Sequence, residues 1–156
     1  MISVANYETK YDEDKQVSYI DAIGALICPA CDSFELIKKG WRRRQLILLI
    51  GTLMVLMVRR VKCKKCNRIH HVLPDIVVPY KRHDAETINK ILEGDPKETL
   101  CEESTINRFK LWWTSIKLYV LTVAVSVIEK RKIYIAPELS FKETVRVLVN
   151  AHLWPG

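Results

Sequence analysis

Four cysteines in two C-x-x-C pairs, Cys28 and Cys31 in ICPAC and Cys63 and Cys66 in KCKKCNR, constrain this chain more than any other feature. A lone pair cannot discriminate, because thiol oxidoreductases, zinc sites and iron-sulfur proteins all use that spacing. Two pairs have the spacing of one tetrahedral site in which each pair supplies two thiolates. Each short loop turns both sulfurs inward with backbone amides facing them, and Lys62, Lys64, Lys65 and Arg68 help hold the thiolates ionised. Zinc, one ion per chain, is the expected cofactor; rubredoxin-type iron uses the same four donors and stays open. A redox pair needs a βαβ context and a single C-x-x-C, and the sequence offers neither.

The segment between the pairs reads as a ribbon. FELIKKGW (34–41) is a short strand, and RRRQLILLI (42–50) and LMVLMVRRVKC (53–63) are two longer strands joined around Gly51-Thr52. A half-exposed hairpin alternates apolar with polar, whereas residues 46–50 and 53–58 are nearly all apolar, so both faces are expected to be covered. The candidate covers are the apolar stretch 111–128 and a second copy of the chain in a homodimer. His70 and His71 follow the second pair, but four cysteines already fill a tetrahedral shell, so they are left to pack beneath the ribbon or donate to backbone or phosphate.

Charge points to a polyanion. Twenty-five Lys and Arg against eighteen Asp and Glu give a formal charge of +7. No acidic residue lies between Glu35 and Asp75, a segment that holds Arg42, Arg43, Arg44, Lys64, Lys65 and Arg68, the expected phosphate contacts. The opening MISVANYETKYDEDKQ lacks a basic region followed by an apolar core, so a cytoplasmic location is expected, where five cysteines argue for metal rather than disulfides. The apolar runs 46–58 and 118–128 are shorter than the roughly 20 residues of a spanning helix, and no membrane association is expected.

After LPDIVVPYKR, an extended connector with Pro74 and Pro79, helical signals take over. HDAETINKILEG (83–94) carries Ile88, Ile91 and Leu92 on one face and ends at Gly94. DPKETLC places Asp95 at an N-cap, Pro96 at N1 and Glu98 at N3 of a short second helix. In EESTINRFKLWWTSI, Ser104 is the expected N-cap of a third, with Ile106, Phe109, Trp113 and Ile116 on one side and Thr105, Asn107, Arg108 and Lys110 on the other. Helix, short helix, turn and longer helix is the order of a helix-turn-helix, whose reading helix enters the major groove by its first turns. Cys101 is read as a small core residue, and Trp112-Trp113 as core rather than stacking platforms. From Leu111 to about Glu129 only Lys117 is charged, which predicts a long, largely buried continuation. The final helix (140–154) has Ser140 and Glu143 as a capping box and Val145, Leu148, Val149 and Leu153 on one face. The expected organisation is thus α+β: an N-terminal segment (1–24), a four-cysteine zinc β-ribbon (25–80), a helix-turn-helix (81–117) and C-terminal helices (118–156).

ICPAC, RRVKCKKCNRIHHVLPDIVVPYKRH and CEESTINRFKLWW together resemble the N-terminal zinc-ribbon and helix-turn-helix region of bacterial insertion-sequence transposases, and a family of short bacterial proteins that carry this region alone. The resemblance covers roughly residues 25–115. It implies binding to double-stranded DNA, with Cys28, Cys31, Cys63 and Cys66 as ligands and the helix from Ser104 as reader. Asn67 stands where the family has Gly after the second pair, and it too tolerates a left-handed turn. A working transposase also needs an acidic triad, yet the last aspartate is Asp95 and only Glu129, Glu138 and Glu143 follow the reading helix. The expectation is a non-enzymatic, zinc-dependent DNA-binding protein without a small-molecule substrate, either a transposase-derived regulator or an accessory factor of a mobile element. The alternatives are an interaction adaptor whose hairpin docks a partner, and a functionless transposase remnant.

Overall fold

The computed structural model describes residues 1–94, 96–132 and 139–155. Its strands are β1 (Ile2–Val4), β2 (Tyr7–Asp12), β3 (Val17–Ala22), β4 (Leu36–Ile47), β5 (Leu53–Cys63) and β6 (Ile69–Pro74). The helices are α1 (Ala85–Glu93), α2 (Glu103–Arg131) and α3 (Phe141–Asn150), with one 3-10 turn at Pro96–Glu98 between the first two. The fold is mixed α+β, with one curled sheet built around β5.

β5 runs antiparallel to β4 along one edge. Its other edge is shared between β6, which pairs antiparallel at Arg60–Lys62, and β3, which pairs parallel at Leu56–Val58. β2 folds back on β3, and β1 lies parallel to β6. Residues 34–41 and 42–50, read as two strands, form one strand instead. The break expected between them is a bulge between Lys38 and Trp41, where Gly40 takes φ 90° and lets the ladder resume without separating the strands.

Residues 1–24 supply three strands of this same sheet, and they cover much of the apolar hairpin. Leu46, Leu56 and Val58 pack with Ile20, Leu73 and Val77, and Met1 and Tyr7 close the edge of this cluster. Neither the stretch 111–128 nor a second copy is needed for that face. A second core joins Val78 to Ala85, Ile88, Ile91, Phe109, Phe141, Val145 and Val149, with Met1 touching both cores. Asn150 ties the two ends of the chain together, donating to Ser3 O at 2.9 Å and accepting from Ser3 N at 2.8 Å.

The helices start and stop mostly where local chemistry requires. Asp84 caps α1 by accepting from the Thr87 N–H, and Gly94 ends it at φ 93°. The short second helix is a single 3-10 turn, closed by Thr99 N–H to Pro96 O; the expected cap Asp95 lies outside the described residues. The N-cap position of α2 is Glu102 rather than Ser104. No side chain caps it, and the Ser104 hydroxyl instead reaches a Glu102 carboxylate oxygen at 3.5 Å. Ser140 and Glu143 form the full capping box of α3. That helix stops at Asn150, so Leu153 falls beyond it and is 40% exposed; Glu138 lies outside the described residues.

α2 continues unbroken for 29 residues, but it is not largely buried. Phe109, Val120, Ala124 and Val127 are buried against the rest of the chain. Leu111 and Leu118 on the far side are 73% and 81% exposed. An apolar sequence on both faces of a helix predicts full burial only if the fold holds enough elements to surround it, and here α1 and α3 reach one side. By length and composition α2 could also cross a membrane, which the shorter apolar run 118–128 did not indicate.

Candidate metal centre and basic cleft

The four predicted cysteines meet. Cys28, Cys31, Cys63 and Cys66 place their sulfurs within 4.8 Å of one another, drawn from the loop before β4, the end of β5 and the β5–β6 turn. Cys28 Sγ lies 3.6 Å from Cys66 Sγ, and Cys31 Sγ lies 3.6 Å from Cys63 Sγ. Four thiolates around one ion at about 2.3 Å define a tetrahedron with edges near 3.8 Å, so the donor set fits a tetrahedral metal.

The two loops are built alike. In the first, Asp32 N–H donates to Cys28 O at 2.9 Å; in the second, Asn67 N–H donates to Cys63 O at 3.0 Å. Asp32 and Asn67 both sit in the left-handed region, at φ 53° and 61°. Asn67 does what a glycine would do, as the sequence suggested, and Asp32 repeats it. Short polar side chains bear this conformation best among non-glycine residues. Glu35 O receives the Lys64 N–H at 2.9 Å, which fastens one loop to the other.

The protonation of the thiols suits a site that could hold a cation. The Cys66 backbone N–H, the first of several donors, pulls the Cys63 thiol down to about 6. At Cys31 the Ser33 N–H acts in the same direction, but desolvation and the neighbouring sulfurs outweigh it and push the thiol up to about 12. Burial also raises Cys28. Without a cation the cluster can ionise only in part, because adjacent thiolates repel. His70, 3% exposed, places Nε2 3.3 Å from Cys28 Sγ. Burial first, then the N-terminal ammonium, depresses its pKa to about 4, so it stays neutral and can donate Nε2–H to the sulfur. It packs under the ribbon and orients a ligand without joining the donor set.

His71, one residue on, faces the opposite way into a cleft of about 510 Å³ lined by Arg42, Arg43, Arg44, Gln45, His71, Tyr80, Lys81 and Arg82. By strand alternation Arg42 and Arg44 share a face with their partners Val58 and Leu56, while the Arg43 side chain projects to the other face. Burial, then repulsion from Arg42, lowers the Arg44 pKa. His71 is lowered by burial, then by Arg44, Arg42 and Arg60. The Arg60 Nε is buried without a hydrogen-bond partner among the described residues. The connector completes the cleft: Tyr80 turns at φ 64°, and Arg82 O accepts the Ile47 N–H at 2.7 Å, which returns Lys81 and Arg82 to β4. On the other side of the sheet, Asp21 pairs with Arg59 at 2.6 Å and Lys38 at 2.8 Å. Among the described residues, the cleft lining contains no carboxylate.

The remaining predicted contacts are dispersed. Lys64, Lys65 and Arg68 are exposed on the second cysteine loop. Their strand meets the partner of Arg42 five residues back from Cys63, roughly 17 Å away at 3.3–3.4 Å per residue. Asn107, Arg108 and Lys110 are exposed and Thr105 half-buried in the opening turns of α2, where Arg108 donates to Thr105 Oγ1 at 3.3 Å. Lys81 sits over the Trp112 ring at 3.9 Å, and Arg108 lowers its pKa after burial does. The order α1, 3-10 turn, α2 is present; a helix-turn-helix as such is not shown. Sequence reasoning missed Tyr80, Lys81 and Arg82, and it left His71 open between packing, backbone and phosphate. Proline marks a connector without telling where it goes.

The fold and site define an α+β protein with a four-cysteine centre able to hold a metal ion. The chain belongs to the family described as Domain of unknown function (DUF6431), whose match spans residues 28–109. That span runs from the first ligand cysteine to Phe109 in α2 and leaves out β1–β3 and α3. No curated protein and no solved structure matches the chain.

Proposed function

We propose that this protein is a zinc-stabilised, non-enzymatic DNA-binding protein, in which the cysteine centre is structural and the cleft holds the phosphate backbone of a duplex. The observation that carries this reading is the separation of charge across the sheet. Arg59 and Lys38 on one face share the Asp21 carboxylate, whereas Arg42, Arg44, Lys81 and Arg82 on the other share a cleft that has no carboxylate among the described residues. Concentrated, uncompensated cations lower the free energy of a polyanion by releasing its condensed counterions. Zinc suits the donor set because four thiolates in a closed tetrahedral shell are its usual structural site. The resemblance to element-end-binding regions of transposases supports the same reading.

Phosphate contact is assigned to the cleft rather than to α2. Glu102 and Glu103 open that helix, and their charge opposes a phosphate approaching its first turn. Fluorescence anisotropy of metal-loaded protein with a labelled random-sequence duplex tests the proposal. Affinity should fall steeply with salt, by about 0.9 log units per log unit of salt for each phosphate contacted. Absent binding, or affinity indifferent to salt, would refute it.

A further inference from the structure

We propose that two copies of this chain associate through the exposed face of α2, with the helices antiparallel. α2 has two apolar faces. Phe109, Ile116, Val120, Ala124 and Val127 turn toward the chain's own core. Opposite them, Leu111, Leu118 and Val125 recur at intervals of seven, and Thr114, Leu121 and Ile128 recur at sevens between them. This is the spacing of a coiled-coil seam, and it extends over about 26 Å of helix. Leu111, Leu118, Leu121 and Val125 are 73%, 81%, 41% and 53% exposed. Monomeric proteins seldom leave so continuous an apolar stripe in water.

The face is self-complementary. In the antiparallel register that sets the two series against each other, Leu111 meets Ile128 of the second copy, Thr114 meets Val125, and Leu118 meets Leu121. The one hydroxyl within the stripe is already satisfied, since Thr114 donates to Lys110 O, and at its margins Ser115 donates to Trp112 O and Ser126 to Thr122 O. At the rim the same register brings Arg108 of one copy beside Glu129 of the other, twice by symmetry. Both are exposed, and neither belongs to an ion pair among the described residues. Antiparallel packing also sets the positive end of each helix dipole, with Glu102 and Glu103, near the negative end of the other, with Lys130 and Arg131.

A bilayer is the competing occupant for a helix of this length. Spanning one would put the charge of Lys117, the midpoint of Glu103–Arg131, inside the hydrocarbon, where an unpaired ammonium is unfavourable. It would also strip Phe109 and Val120 from the core they share with α1 and α3. The dimer leaves both in place, and it does not depend on whether the cleft binds DNA.

Sedimentation equilibrium of the metal-loaded full chain over a range of concentrations tests the proposal, with circular dichroism and metal content as folding controls. Wild type should approach twice 18.1 kDa. Leu118→Glu, which buries an unpaired charge in each copy, should raise the dissociation constant about a hundredfold or more while leaving both controls unchanged. Should Leu118→Glu misfold, the rim carries the test. Arg108→Glu should weaken the dimer, and adding Glu129→Arg should restore it. A monomeric wild type, an unaltered dimer in folded Leu118→Glu, or no rescue in the charge swap would each overturn the proposal. So would transfer of the wild type from solution into phosphatidylcholine–phosphatidylglycerol vesicles.

Discussion

If Arg42 and Arg44 hold phosphates and Arg43 does not, the three arginines of RRR must differ in their salt signature, although nothing in their sequence separates them. All three line the cleft, but by strand alternation Arg42 and Arg44 share a face with Leu56 and Val58, whereas the Arg43 side chain projects from the other side of β4. Each lost phosphate contact flattens the slope of log affinity against log salt by about 0.9, so Arg42→Ala with Arg44→Ala should flatten it by about 1.8. Over a fourfold rise, from about 50 to about 200 mM, that is roughly a tenfold difference in how far affinity falls for wild type and for the double variant. Arg43→Ala should leave the slope close to wild type. The assay is anisotropy with one random duplex at several salt concentrations, each variant first checked for metal content and circular dichroism. An equal effect from Arg43→Ala, or an unchanged slope in the double variant, would show that the duplex does not lie in the cleft.

Replacing Cys63 by Ser should abolish the one-to-one metal content measured by elemental mass spectrometry and unfold the ribbon, since metal-binding energy in such sites is folding energy; Cys101→Ser should retain the metal, and a fully loaded Cys63→Ser would contradict the site. Ile88→Ala, at a fully buried position in α1, should cost about 2–5 kcal/mol in denaturant unfolding, and a cost under 1 kcal/mol would mean the helical core is not packed as described. Ser140→Ala, which removes the capping box of α3, should cost about 1 kcal/mol by the same measurement. Asp21 lies low despite burial, which raises it, because Arg59 and Lys38 bind its charged form. Its stabilisation is therefore present above the ordinary carboxylate range near 3.8 and is lost as pH falls through the depressed value, a loss that Asp21→Asn should remove from an acid-unfolding curve. Deleting residues 1–22 should yield an insoluble chain, because β3 covers Leu56 and Val58; soluble, metal-loaded protein from that deletion would assign the covering role elsewhere.

Local chemistry made the cysteine centre legible. Two C-x-x-C loops admit few other uses, and the left-handed turn at Asn67 follows from what its side chain tolerates next to a ligand pair. The caps at Gly94 and at Ser140 with Glu143, the apolar face of α1, and a basic segment without acids were equally open to reading, since each depends on residues within a turn or two of one another. The rest required residues far apart in sequence. That the N-terminal strands shield the apolar hairpin depends on β3 pairing with β5 across more than thirty positions, and no local pattern encodes that partner. That Lys81, Arg82 and His71 join Arg42, Arg43 and Arg44 depends on the turn at Tyr80, and that Arg43 turns its side chain to the opposite face from its two neighbours depends on strand register. The exposed stripe of α2 was invisible for the same reason. An apolar residue in sequence announces a need for cover, but only the count of surrounding elements in the folded chain decides whether that cover is its own or another molecule's.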